Sequence, residues 1–87
     1  MLADVLVRGR LRDTREEVYL VVEVSWTVGR EDVDLAARRS GLLSRAGIRA
    51  IPVVAGARVA PGVEEHARAS RVWQVLDGRT VSPAAPS

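Results

Sequence analysis

Near the N-terminus hydrophobic and polar residues alternate, and a nearly continuous apolar run follows, so the pattern predicts two neighbouring strands. Residues 3–8 alternate with the period of a strand. Residues 19–27 are rich in β-branched and aromatic side chains and contain neither Gly nor Pro, which is typical of a buried strand. Between the two strands, Asp13 and Thr14 suit a turn. We therefore expect a hairpin in which the numbers of facing residues sum to about 27.

A helix and a second apolar run follow this hairpin. Residues 30–46 combine a broad apolar stripe with acidic residues in the first turn and arginines further on, and Gly47 suits the end of a helix. Residues 48–55 predict a short buried strand, in which Pro52 indicates an edge position or a bulge because proline has no amide proton. The order strand, helix, strand predicts a βαβ unit with parallel strands.

The remaining residues predict one more helix and one more strand. Pro61 suits the start of a helix over residues 61–70, and residues 71–76 predict a strand that ends at Asp77 and Gly78. The whole chain is expected to be a single small α/β domain, residues 1–78, with the order ββαβαβ. Its mixed β-sheet would have flanking helices in a three-layer arrangement. Residues 79–87 are expected to form a flexible tail.

The composition restricts the possible chemistry more than it restricts the possible folds. Hydrophobic residues make up 47% of the 87 residues and charged residues 28%, which is ordinary for a folded domain. The chain has no cysteine, so disulfides and thiolate metal sites are excluded. No signal peptide or membrane-spanning run is visible, and we expect a cytoplasmic protein without membrane partners. Every basic residue is an arginine, so this chain supplies no lysine ammonium group.

Glu23 is the residue that most needs an explanation, because a carboxylate in an apolar strand is unfavourable by several kcal/mol unless it is paired. The expected hairpin places Asp4 opposite Glu23, with Ser25 on the same face. Two carboxylates are suitable ligands for Mg²⁺ or Mn²⁺. Phosphate oxygens of a substrate would complete the coordination shell of the metal ion. In the alternative interpretation, Glu23 pairs with Arg38 or Arg39 and ties the helix to the sheet.

Other polar and aromatic residues give weaker indications. Arginines cluster on the first hairpin, where they suit either contacts with a phosphate backbone or a solvated turn, and the interspersed acids favour the turn. The cluster consists of Arg8, Arg10, Arg12 and Arg15. Trp26 and Trp73 are expected to be anchors in the core or at its rim rather than base-stacking residues. His66 is expected to face solvent.

Two segments resemble the PD-(D/E)XK nuclease superfamily. The broad resemblance is carried by D-V-L-V, which is followed by V-Y-L-V-V-E-V-S and by a helix that begins E-D-V. A narrower similarity, to an uncharacterised bacterial branch, is carried by E-V-S-W-T-V together with G-I-R-A-I-P-V-V-A-G. The resemblance covers residues 3–78. It implies a restriction-endonuclease-like fold, catalytic positions at Asp4, Glu23 and Ser25, a divalent metal on Asp4 and Glu23, and DNA or RNA as substrate. Ser25 stands where the superfamily has a lysine.

A second departure concerns the N-terminus. The superfamily fold usually opens with a helix and a first strand, whereas this sequence starts at the strand of Asp4. A homodimer or a partner chain would then supply these N-terminal elements. The first hypothesis is a degenerate nuclease-like domain with weak or no phosphodiester hydrolysis, which holds a metal on Asp4 and Glu23 and binds nucleic acid through arginines. These are Arg8, Arg10, Arg12, Arg38 and Arg39.

The alternative is a non-catalytic interaction or oligomerisation module that retains the fold. The two hypotheses differ at Glu23. A metal site requires Glu23 to lie near Asp4, to accept no hydrogen bond from an arginine and to be reached by water. An interaction module predicts a pair between Glu23 and an arginine on a dry face.

Overall fold

The computed structural model describes residues 3–83, and these form seven strands and two helices. In chain order they are β1 (Ala3–Arg10), β2 (Glu17–Val24), β3 (Thr27–Val28), α1 (Arg30–Arg45), β4 (Ala50–Gly56), β5 (Arg58–Val59), α2 (Val63–Ala69), β6 (Trp73–Leu76) and β7 (Arg79–Val81). Five strands make one mixed sheet in the order β1-β2-β4-β6-β7, while β3 and β5 form a separate parallel pair. The predicted small α/β fold with a mixed sheet is confirmed.

The first hairpin has the predicted register. Strand β1 pairs antiparallel with β2 from Ala3 opposite Val24 to Arg10 opposite Glu17, with Asp4 opposite Glu23. Both strands extend further toward the turn than the alternation predicts, since β1 ends at Arg10 and β2 begins at Glu17. In the turn, Arg15 adopts a positive φ of 60° and its amide donates to the carbonyl of Leu11.

Both helices pack on the same face of the sheet, so the domain has two layers and the prediction of three layers is wrong. The core contains Val33 and Ala36 of α1, Val63 and Ala67 of α2, and Val54 and Leu76 of the sheet. Parallel strands β2, β4 and β6 follow one another in the same direction across the sheet. Since such crossovers are right-handed, both connections place their helix on one side.

The other face of the sheet, which we call the open face, is apolar and is covered by neither described helix. It presents alternate residues of the strands, because successive side chains point to opposite sides. Leu20, Ile51, Val53, Trp73 and Val75 line a shallow depression of about 340 Å³ there. An apolar face of this kind is typical of a surface that contacts another protein.

The position of Pro52 differs from the prediction. Strand β4 is central, between β2 and β6, and Pro52 lies opposite Val21 without a bulge in the register. The amides of Tyr19 and Ser25 donate to carbonyls of residues 49 and 55, so the odd residues of β4 face β2. The nitrogen of Pro52 therefore faces β6, whose pairing begins only at Val53.

The C-terminal segment also departs from the prediction of a flexible tail over residues 79–87. Residues Arg79–Val81 form β7, which pairs antiparallel with β6 across Asp77 and Gly78. Both turn residues have positive φ, 49° and 79°. The antiparallel return closes the sheet at the side opposite β1. The last four residues of the predicted tail, 84–87, lie outside the described residues.

Candidate functional site

Asp4 and Glu23 face each other across β1 and β2, on the side of the sheet that carries the helices. Their pairing follows from the hairpin register. The two carboxylates differ in environment, since the Glu23 side chain is 0% exposed and the Asp4 side chain is 58% exposed. The chain thus brings one buried acid and one solvated acid together at the edge of the sheet.

Arg39 of α1 lies between the two acids. Its Nη1 donates to Oδ2 of Asp4 at 2.5 Å and to Oε2 of Glu23 at 2.9 Å. We call this group of three side chains the arginine bridge. Of the two arginines that the sequence offered as partners, Arg39 makes the contact and Arg38 is exposed. The bridge ties α1 to both strands of the hairpin.

The position of Arg39 follows from the way α1 packs. Ala36 and Ser40 are buried against the sheet, and Arg39 stands beside them on the flank of the helix that faces β1. An arginine there can bury its alkyl stem along apolar neighbours while its guanidinium reaches the strand edge. The hydroxyl of Ser40 donates to the carbonyl of Ala37, so it does not compete for the acids.

The surroundings of Glu23 disfavour its charged form. Burial raises the pKa of the Glu23 carboxyl above its ordinary value of 4.5, and the nearby acids Asp4 and Asp32 raise it further. The charge and the hydrogen bond of Arg39 lower the pKa and offset part of that shift. The second oxygen of Glu23, Oε1, is buried and has no hydrogen-bond partner among the described residues. Arg39 therefore satisfies only half of this carboxylate.

A groove of about 370 Å³ opens beside the bridge, between β1 and α1. Besides the three bridging side chains, its lining is apolar and includes Leu6 and Leu42. A divalent cation placed between the acids would take the position that the guanidinium of Arg39 holds. A metal ion could take this position only if Arg39 left the acids, because the two positive charges would repel each other at such a short distance.

Ser25 is not part of this groove. Its side chain is buried, and its hydroxyl donates to Oδ2 of Asp32 at 3.0 Å. The same oxygen accepts the amide of Gly29 at 2.9 Å, which satisfies a free donor at the start of α1. The residue at the predicted lysine position thus serves to hold the N-terminus of the helix against β2.

Asp32 is a residue whose role the sequence did not reveal, because an acid in a first helical turn usually indicates only a favourable charge near the helix dipole. Its burial is the observation that changes this interpretation.

Gln74 is another buried polar residue that the sequence analysis did not single out. It is 1% exposed, lies two strands from Glu23 with Val54 between them, and its Oε1 has no partner among residues 3–83.

The remaining predicted arginines do not gather around the acids. Arg8 is 67% exposed and lies 3.9 Å from Glu17, and Arg10 donates weakly to the carbonyl of Arg15 at 3.5 Å. Arg12 and Arg38 are exposed. Arg39 is therefore the one member of that set that contacts Asp4 and Glu23 within the described part of the chain.

Two further expectations need correction. His66 does not simply face solvent, because its Nε2 lies 2.7 Å from Oδ1 of Asp34 and links α2 to α1. Trp26 is 69% exposed and so is no core anchor, while Trp73 lies at the open face. Neither described helix is long and apolar enough to cross a membrane.

A comparison of the chain with protein-family models, with curated proteins and with solved structures finds no match. The resemblance to PD-(D/E)XK nucleases therefore stays a prediction from the sequence.

Proposed function

We propose that this chain is a degenerate PD-(D/E)XK nuclease-like domain that acts as a non-catalytic interaction module. One observation carries the proposal: Nη1 of Arg39 donates to both Asp4 and Glu23. The interaction-module hypothesis predicts a pair between Glu23 and an arginine on a dry face; the pair is present, whereas the face is open to solvent at Asp4. The metal-site hypothesis requires Glu23 to be free of such a bond.

The chemistry of the bridge supports this choice. Arg39 supplies one positive charge to two neighbouring carboxylates and offsets part of the unfavourable burial of Glu23 without a metal ion. Arginine remains protonated at all ordinary pH values, so it is a poor group for moving a proton during hydrolysis. Ser25 does not replace the lysine of the nuclease motif, because its hydroxyl already donates to Asp32.

The surfaces of the domain support a role in binding. The open face is apolar, and β1 exposes Val5, Leu6 and Val7 along the edge of the sheet. Exposed apolar patches and unpaired strand edges are the features through which small domains associate with other chains. A cytoplasmic location is part of the same proposal and is supported by the cysteine-free sequence.

The test is cleavage of labelled DNA and RNA with Mg²⁺ or Mn²⁺, with the wild type compared with Glu23→Gln. Gln preserves the size of the side chain and removes the charge that a metal-dependent reaction would need. We expect both proteins to leave the substrates intact. Cleavage by the wild type that Glu23→Gln abolishes would show an active nuclease and overturn the proposal.

A second candidate is binding of a divalent metal and a nucleic-acid backbone without hydrolysis. The observation that favours it is the buried, unpartnered Oε1 of Glu23 beside the exposed carboxylate of Asp4. Arg39 is partly exposed and would have to leave the acids first. Fluorescence anisotropy of a labelled duplex tests this candidate. Binding that requires Mn²⁺ and strengthens in Arg39→Met would favour it over the first proposal.

A further inference from the structure

The outer edge of β1 is long and unpaired. Among the described residues β1 pairs with β2 alone, and its eight residues include no proline. The opposite edge of the sheet, β7, is only three residues long. A long edge strand without a bulge or a proline is a template on which another strand can pair.

The backbone groups on this edge point outward at regular positions. The amide of Leu11 donates to the carbonyl of Glu16 at 2.8 Å, which marks these two residues as a hydrogen-bonded pair of the hairpin. Hydrogen-bonded and non-bonded pairs alternate along an antiparallel ladder. The amide and carbonyl groups of Asp4, Leu6 and Arg8 therefore face away from β2, toward the free edge.

The side chains of these residues make the edge complementary to itself. We propose that a second copy of this chain pairs antiparallel with β1 about a two-fold axis at Leu6, so that one sheet runs through both copies. In this register Asp4 lies opposite Arg8 of the second copy, Val5 lies opposite its Val7, and the two Leu6 side chains meet at the axis. The inference rests on the proposed function and names the partner of that interaction module.

Charge and exposure both favour this register. Asp4 and Arg8 carry opposite charges, and the two-fold axis forms this pair twice. Leu6 is 57% exposed, and pairing would cover it and its two valine neighbours. Shifting the axis to Val7 would place Leu6 opposite Arg8 and Val5 opposite Gly9. That arrangement keeps an opposite-charge pair but retains Val7 opposite itself as its one apolar pair, so the axis at Leu6 is preferred.

The dimer would also complete the candidate site. Asp4 lies at the mouth of the groove beside the arginine bridge, and its side chain remains largely solvated. Arg8 of the second copy would bring another guanidinium to this carboxylate. In the dimer the acids would be neutralised by Arg39 from within the chain and by Arg8 from its neighbour.

Cysteine cross-linking tests the register directly, because the chain has no natural cysteine. In Leu6→Cys the two thiols would meet at the axis, where facing Cα atoms in a hydrogen-bonded pair lie about 5.5 Å apart, within the range of a disulfide. We expect a covalent dimer after mild oxidation. Thr80→Cys, an exposed position on the opposite edge strand, is the matched control and should stay monomeric on a denaturing gel.

Charge reversal provides a second, independent readout by sedimentation equilibrium. Arg8→Asp places like charges opposite each other twice and should weaken the dimer about tenfold. Arg8→Lys keeps the opposite charge, leaves the bond between Arg39 and Asp4 in place, and should retain most of the affinity. Circular dichroism of each variant confirms that it is folded, and Arg8 is sufficiently exposed that its substitution leaves the fold intact.

A wild-type protein that stays monomeric across the concentration series would overturn the dimer. So would a dimer in which Leu6→Cys forms no disulfide, because another surface would then join the copies. Neither result affects the proposal of a non-catalytic domain, which stands or falls on the cleavage assay and on metal binding at Glu23.

Discussion

Nη1 of Arg39 lies 2.9 Å from Oε2 of Glu23 and joins the middle of α1 to the most buried acid of the sheet. The same nitrogen holds Asp4, so one guanidinium serves two carboxylates. This contact explains how an apolar strand tolerates a carboxylate. It also sets the chemistry of the groove, because the position between the acids already carries a positive charge.

Replacing Arg39 should destabilise the domain. Arg39→Met keeps the length of the side chain but leaves Glu23 buried without a cation, and we expect a loss of about 1–3 kcal/mol in the free energy of unfolding, since Arg39 itself is partly exposed. Arg38→Met, on the solvent side of the same helix, should change it by less than about 0.5 kcal/mol. Urea denaturation measures both. Equal effects of the two substitutions would show that the bridge contributes nothing.

Glu23 should make stability depend on pH in a predictable direction. Its folded-state pKa is raised above 4.5, so the folded state retains the proton to a higher pH than the unfolded state does. The free energy of unfolding should therefore fall as pH rises from below 4.5 through the raised pKa. Glu23→Gln should lack this component. Urea titrations at several pH values give the free energy of unfolding of both proteins. A difference between the two that does not change with pH would contradict the raised pKa of Glu23.

Two glycines should respond oppositely to alanine. A Cβ at Gly56 would lie 2.2 Å from the carbonyl oxygen of Ser25, so Gly56→Ala should destabilise the packing of β4 against the end of β2 by more than about 1 kcal/mol. A Cβ at Gly41 in α1 meets nothing within 4 Å. Gly41→Ala should therefore stabilise the domain by about 0.5–1 kcal/mol through helix propensity. Thermal unfolding of the pair checks both signs.

Asp32 should matter more than its position in a first helical turn suggests. Asp32→Ala removes the acceptor for the Gly29 amide and the Ser25 hydroxyl, and we expect a loss of about 1–2 kcal/mol. Glu31→Ala is the control, because Glu31 lies in the same turn but is exposed. A similar loss for both variants would mean that Asp32 acts through charge near the helix dipole alone.

Local patterns predicted the hairpin well. Alternation fixes which residues share a face, and a turn near residue 13 fixes the register, so Asp4 opposite Glu23 followed from the sequence. The choice between Arg38 and Arg39 did not follow. Neighbouring residues on a helix point about 100° apart, and only the rotation of α1 on the sheet decides which one reaches the acids.

The other departures have the same origin in tertiary structure. Pro52 indicated an edge, yet it is tolerated in a central strand because β6 begins to pair one residue later. Strand β7 has only three residues and no apolar alternation, so its pairing with β6 is not visible in the sequence. The strand alternation placed Ser25 on the face of the acids and the resemblance gave it the lysine position, but its hydrogen bond to Asp32 depends on where α1 begins.

Calorimetric titration with Mn²⁺ tests the central claim most directly, namely that Arg39 holds the position a metal ion would take. The wild type and Glu23→Gln are titrated side by side under conditions where both are folded. We predict that neither protein takes up Mn²⁺ at this site, so the two titrations should be indistinguishable. Stoichiometric binding by the wild type that is lost in Glu23→Gln would contradict this account and identify the two acids as a metal site.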